Sequence, residues 1–219
     1  MRKSAIMVWL ACAILFFACP SSADNPGDIF LPQPNLQGGK PLMEVLKKRQ
    51  STRSFSSKAL SDQMLSDLLW AAFGINRPES GKRTAPSARN WQEVDVYAVM
   101  EQNAYLYEPQ TNILRLKAEG DLRSLTGTQD FVVQAPLNLV FVADTARMTG
   151  VSAHNLEMLA GADVGFISQN VYLFCASKEL ATVVRGSVDR DRLGHALGLP
   201  ETSLIVLAQS VGYPEADAE

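Results

Sequence analysis

The chain has 219 residues, 47% hydrophobic and 20% charged, which excludes a disordered tail or a membrane bundle and fits one or two folded domains. Lys and Arg total 20 against 23 for Asp and Glu, a formal net charge of −3. A nucleic-acid binder needs a dense basic face, so this balance argues against one.

Arg2 and Lys3 precede an uncharged apolar run from Ala5 to Cys19, and Ser21 and Ala23 supply the small residues of a signal-peptidase site. Residues 1–23 are therefore expected to be a signal peptide, directing export to the periplasm or cell envelope. The run is short for a membrane span, which needs about 20 apolar residues. An uncleaved anchor and a lipid attachment at Cys19 remain alternatives. Cleavage would remove Arg2, Lys3, Cys12 and Cys19, taking the formal charge from −3 to −5 and leaving Cys175 as the one cysteine. Stability must then come from the core, because one thiol makes no intramolecular disulfide. Cys175 sits in an apolar stretch and reads as a buried, inert thiol.

Residues 24–40, rich in Pro and Gly, read as an extended arm. A domain is expected over 41–214, followed by an acidic tail at 215–219. Leu42, Val45 and Leu46 recur at helical spacing after Pro41. Ser61 reads as the N-cap of a helix through Met64, Leu65, Leu68, Leu69 and Ala72, stopped by Gly74. Residues 75–92 are polar and read as irregular. Val94, Val96, Ala98 and Met100 alternate as a strand. Residues 105–117 read as a hairpin turning at Glu108–Asn112, and a helix is expected over 121–134. Leu137–Ala143 is a run apolar enough to be a strand covered on both faces. The longest helix is expected from Asn155 to Lys178, apolar around much of its circumference. A strand at 181–184, a short helix at 189–197 and a last strand at 203–211 complete an α+β pattern of mixed sheet and flanking helices.

The sequence holds no G-x-G-x-x-G after a strand, no P-loop, no C-x-x-C, no H-E-x-x-H and no G-x-S-x-G. Its two histidines, His154 and His195, have no metal-ligand spacing, so no metal site is expected. Two polar segments stand out. Arg49-Gln50-Ser51-Thr52-Arg53 follows a helix; its guanidiniums and hydroxyls suit an anion such as a phosphate, although cations also gather at helix C-termini without any ligand. Pro86-Ser87-Ala88-Arg89-Asn90-Trp91-Gln92 offers small residues that admit a planar ligand, with amide donors and acceptors at Asn90 and Gln92. It also reads as an ordinary turn entering a strand. Trp91, Tyr105 and Tyr107 could line a pocket but are more often core.

In this order the segments resemble the FMN-dependent nitroreductase family over roughly residues 41–214. The resemblance rests on R-x-S-x-R at Arg49, Ser51 and Arg53 and on P-S-x-x-N-x-Q at Pro86, Ser87, Asn90 and Gln92. It rests further on the long helix with Gly161, Gln169 and Asn170, on Ala181–Gly186, on Leu197–Pro200 and on Val211–Pro214. The hairpin at 105–117 resembles the branch related to thiazole/oxazole-forming dehydrogenases. The resemblance implies a homodimer with FMN at the subunit interface. Arg49, Gln50, Ser51 and Arg53 would contact its phosphate, ribityl chain and pyrimidine edge, and Pro86, Ser87 and Asn90 would approach from the other subunit. Arg185 and Gly186 would lie near the redox-active side, where a backbone N–H can bond the ring. The implied activity is two-electron transfer through the flavin to an unknown small-molecule acceptor, with NAD(P)H an open question as reductant. Basic residues that many members carry near the C-terminus are missing from Glu215–Glu219, so the phosphate grip would be weaker or completed elsewhere. A non-enzymatic flavin carrier and a cofactor-free interaction protein are the alternatives.

Overall fold

The structure, a computed structural model, describes residues 25–215. The signal peptide expected at 1–23 and all of the acidic tail beyond Glu215 lie outside the described residues. Seven strands form the central sheet: β1 (Ile29–Phe30), β4 (Val94–Met100), β5 (Asn103–Glu108), β6 (Ile113–Glu119), β7 (Leu137–Asp144), β8 (Ala181–Arg185) and β9 (Ser203–Gly212), in the order β1-β6-β5-β4-β7-β9-β8. Every neighbouring pair is antiparallel. Four α-helices surround it: α1 (Leu42–Lys48), α2 (Asp62–Phe73), α3 (Ala153–Lys178) and α4 (Arg190–Ala196). The fold is the expected α+β arrangement, but the sheet, expected to be mixed, is antiparallel throughout among the described residues, because hairpins and antiparallel returns rather than parallel crossovers join its neighbouring strands.

Alternation along the central strands feeds two cores. Val94, Val96 and Ala98 of β4 and Leu137, Leu139 and Phe141 of β7 face α2 and α3, where they meet Leu65, Leu68, Leu69, Val164, Ile167 and Val171. Tyr97, Val99, Val140 and Val142 face the other way, toward Leu193 of α4, Leu197 and Ile205. All of β7 from Leu137 to Ala143 is buried, as its nearly all-apolar run predicts, with Asn138 the one polar side chain in it. α2 starts where Ser61 Oγ accepts the Met64 N–H at 3.3 Å, and it ends at Gly74 because a Cβ there would lie 2.5 Å from the Trp70 ring.

The 26-residue α3 runs about 39 Å across this layer. It is buried along one face only, at Ala160, Asp163, Val164, Ile167, Ser168, Val171, Tyr172 and Cys175. Met158 and Phe166 are exposed on another side, at 60% and 49%. Between them Gly161 and Gly165 leave open space where a side chain would stand. Leu42, Met43 and Leu46 of α1 are also exposed. Among the described residues no helix is long and apolar enough to cross a membrane.

Three segments differ from the sequence reading. The helix expected over 121–134 is replaced by single 3-10 turns at Arg123–Thr126 and Asp130–Val132. Between them Gly127 is extended, and a Cβ on it would meet Arg185 Nη1 at 2.5 Å and Val132 at 2.9 Å. The Thr126 carbonyl, which a helix would need, accepts from Arg185 instead. The region 75–92 holds a two-stranded ladder, β2 (Ile75–Arg77) with β3 (Lys82–Arg83). The arm contributes β1, which pairs with β6, while buried Asn112 bonds the Pro32 carbonyl at 2.7 Å and Ser66 Oγ at 2.9 Å.

Candidate active site

The segment after α1 is held against β8. The Thr52 N–H donates to the Thr182 carbonyl and the Ser56 N–H to that of Tyr213, each at 2.9 Å, while Phe55 is buried with Ala181 and Val183. Gln50 and Thr52 line a cavity of about 460 Å³ together with Lys47, Lys48, Tyr172, Ala176, Glu179, Leu180, Ala181, Thr182 and Pro214. That volume lies within the usual range of cofactor sites. Arg49, Ser51 and Arg53 occupy the alternate positions. Arg49 stacks over the Tyr172 ring, 5.2 Å from its centroid, and Arg53 is exposed. Among the described residues neither guanidinium pairs with a carboxylate.

Tyr172 ties this segment to β8. Its Oη lies 2.8 Å from Ser51 Oγ and accepts the Val184 N–H at 3.0 Å. In the sequence Tyr172 is only one position within the long apolar helix expected at Asn155–Lys178. Its role required knowing that α3 crosses behind β8, which no local pattern states. Lys47 and Lys48, on the last turn of α1, bring two further cations to the cavity wall. Lys48 shares its charge with Glu44 at 2.9 Å, an exposed pair that contributes little to stability. Glu179 supplies a negative charge on the same wall and is held by Lys40 at 2.5 Å.

A second cavity, of about 570 Å³, lies between Phe55, Ser56, Ser57, Glu101, Arg123, Val133, Gln134 and Glu215. Its one arginine, Arg123, is already engaged by Asp121 at 2.8 Å. The first cavity is therefore the candidate site for an anionic ligand.

The Pro86–Gln92 segment forms a tight surface turn and lines neither of these cavities. Pro86 and Asn90 are exposed and Ser87 is half-buried. Ser87 Oγ accepts the Gln92 N–H at 2.9 Å, and Gln92 Oε1 accepts from Arg83 Nε at 2.9 Å. Within one chain the two polar segments are thus not brought together. Trp91 is half-buried beside Arg89, whereas Tyr105 and Tyr107 are buried in the core.

Arg185 points away from the cavity. Its guanidinium is buried against Thr126, Asn138 and Ser210, donating to the Thr126 carbonyl and Asn138 Oδ1, to Ser210 Oγ at 2.9 Å and to Thr126 Oγ1 at 3.2 Å. Its Nε has no partner, and burial lowers its pKa to about 10. What a ligand could reach here is backbone: Gly186 is exposed, and a Cβ added to it would meet only Leu207, at 3.8 Å. Cys175 is fully buried, and burial pushes its thiol up to about 12, so it offers no nucleophile.

The nitroreductase family model matches residues 46–213, a span holding both polar segments, α3 and β8. The chain belongs to the nitroreductase family. As a nitroreductase-family protein it is an oxidoreductase of the flavoprotein class. It is 31% identical over 176 residues to the protein named "Putative nitroreductase MJ1384" of Methanocaldococcus jannaschii, covering 76% of this chain and 88% of that one. It is 22% identical over 185 residues to the NADPH-flavin oxidoreductase of Vibrio harveyi, covering 81% and 67%. The crystal structure of a "putative nitroreductase" from Ralstonia eutropha JMP134 superposes with a TM-score of 0.82 at 43% identity, over 86% of this chain and 90% of that one.

Proposed function

We propose that this protein is an exported, homodimeric FMN-dependent oxidoreductase that passes two electrons to a small-molecule acceptor. The observation that carries the reading is a pair of guanidiniums, Arg49 and Arg53, without carboxylate partners, on the segment whose Gln50 and Thr52 line the 460 Å³ cavity. A cation without a counter-ion is available to a phosphate, and guanidinium binds phosphate by short, charge-assisted bonds. The donor set fits FMN: Arg49, Ser51 and Arg53 would hold the phosphate and ribityl chain, with Lys47 and Lys48 adding two cations on the cavity wall. The Gln50 amide offers a donor and an acceptor to the pyrimidine edge, and the backbone at Arg185 and Gly186 would meet the ring. When bound, the flavin supplies the electron-transfer chemistry, so the chain needs no nucleophile or acid–base pair of its own. The protein's part is to bind, orient and exclude water.

Dimerisation is supported by apolar surface that one chain leaves uncovered: Leu42, Met43 and Leu46 on α1, and Met158 and Phe166 on α3. These helices pack against each other, and in this reading a second copy covers that surface and brings its Pro86, Ser87 and Asn90 to the site that Arg49 and Arg53 begin. NAD(P)H is the electron donor we infer, from the named activity of the Vibrio harveyi relative. Export is inferred from residues 1–23 alone and is checked by N-terminal sequencing of the secreted chain, which should begin at Asp24.

The test is the visible spectrum of the mature protein after adding FMN and removing the free excess. A retained flavin spectrum, lost in Arg53→Ala, supports the reading. No retained flavin in the wild-type dimer overturns it. NAD(P)H-dependent turnover above that of free FMN separates an enzyme from a carrier.

A further inference from the structure

We propose that Glu93 and Asp163 form a one-proton carboxyl pair that positions the Ser87–Gln92 turn, Glu93 acting through Asp163 on the Ala88 N–H. The inference rests on the reading of that turn as part of the flavin site. Glu93 ends the turn's connection to β4 and is completely buried, and neither of its carboxyl oxygens finds a hydrogen-bond donor in another residue. Asp163, on the buried face of α3 at 3% exposure, is the carboxyl that acts on it. Two ionised carboxylates sharing a dry site repel strongly, so one proton stays between them. That proton is the donor which Glu93 otherwise lacks.

Its place follows from the neighbours. Asp163 Oδ2 accepts the Ala88 N–H at 2.8 Å, so the oxygen that holds the turn is engaged and the proton is placed on Glu93. Burial, with Asp163 alongside, raises the Glu93 carboxyl to about 7. Arg147, in the turn after β7, is the cation whose field opposes this rise. It is spent on Asp95 at 2.5 Å, Asp144 at 3.1 Å and the Gln92 carbonyl at 2.9 Å. Arg83 of β3 bonds Gln92 Oε1 and the Phe73 carbonyl, and Arg89 bonds the carbonyls of Thr149 and Gly150. None of the three cations bonds Glu93.

The turn needs such a tether. Arg89, Asn90 and Gln92 all have left-handed backbones, with φ of 51°, 57° and 48°, a conformation that non-glycine residues avoid. The Ala88–Asp163 bond fastens this strained turn to the long helix. As pH rises through neutrality Glu93 gives up its proton, the new charge repels the Asp163 carboxylate, and the hold on Ala88 slackens. Ligand binding by Ser87 and Asn90 then weakens in alkaline solution.

The test is hydrogen exchange of the 86–92 peptides in the wild type and in Glu93→Gln. The two are compared at each pH from about 5.5 to about 8.5, so that intrinsic exchange cancels. Glutamine keeps the donor to Asp163 and cannot ionise. Equal protection at the acid end, with the wild-type turn exchanging roughly tenfold faster at the alkaline end, is expected. A constant ratio across the range overturns the proposal. Asp163→Asn keeps an acceptor for Ala88 and gives an ionised Glu93 a donor. Its turn is expected to stay protected, and a wild-type rise in exchange there overturns the proposal even where Glu93→Gln does not fold. FMN affinity, titrated at the same pH values, separates the two readings. Loosening of the turn without flavin binding at any pH supports the pair and overturns the flavin site; flavin binding with no loosening overturns the pair alone.

Discussion

Tyr172 joins the segment carrying Arg49 and Arg53 to the strand that ends at Arg185, through one hydroxyl placed between Ser51 Oγ and the Val184 N–H. Tyr172→Phe should cost about 1 kcal/mol, because the Val184 N–H loses its acceptor; chemical denaturation measures this. Arg49→Ala and Arg53→Ala should each weaken FMN binding roughly tenfold, since each removes a charge-assisted bond; Arg53 is exposed and its loss leaves the circular dichroism unchanged, whereas Arg49 also gives up its stacking on Tyr172. Fluorescence titration of the flavin reports it. Glu93 has a pH signature in stability as well. Its carboxyl titrates near 7 when folded, against an ordinary value of 4.5, so between those values the unfolded chain holds fewer protons than the folded one. Stability therefore falls as pH rises from about 4.5 to about 7 and is flat above. Glu93→Gln should remove this fall, leaving the variant more stable than wild type at pH 8 and converging with it toward pH 5 in urea melts. The two arginines were legible in the sequence because charge and hydroxyl lie within five consecutive residues. Tyr172, Glu93 and Asp163 were not, because their partners come from distant segments and an isolated acid in an apolar run carries no mark of what it faces.

The elements that the sequence made legible are those whose own pattern agrees with their surroundings. β7 is apolar from Leu139 to Ala143 and buried on both faces there; α2 has a capping serine, a spaced apolar face and a glycine that nothing larger can replace. The expected helix at 121–134 failed because tertiary bonds outbid local ones: Arg185 takes the Thr126 carbonyl, and Gly127 is pressed against the same guanidinium. In α3 the pattern was apolar on several sides, yet only one side is buried in the chain. Gly161 and Gly165 stand open on the uncovered side. Gly165→Leu should leave the isolated fold intact, and should add up to about 1 kcal/mol to the helix, while preventing a second helix from approaching. Analytical ultracentrifugation should show a monomer and FMN titration a matching loss of affinity. A dimer of unchanged affinity would remove the interface from this face.

At the scale of the molecule, the fold is shared with the Ralstonia eutropha structure, and within one chain the two polar segments lie apart. If FMN binds the folded protein alone, the melting temperature must rise with FMN concentration. The gain is about 2.7 kcal/mol at a hundredfold excess over the dissociation constant, measured by thermal melts over a concentration series. Arg53→Ala should shift that series to higher concentration without altering the ligand-free melt. The solitary sulfur of Cys175 adds an internal clock. Because it lies at full depth between α3 and β8, with its proton held tightly, an alkylating reagent reaches it only when the whole layer parts. The modification rate of this one peptide, followed by mass spectrometry, thus counts global opening events in the native protein, with no denaturant and no added label.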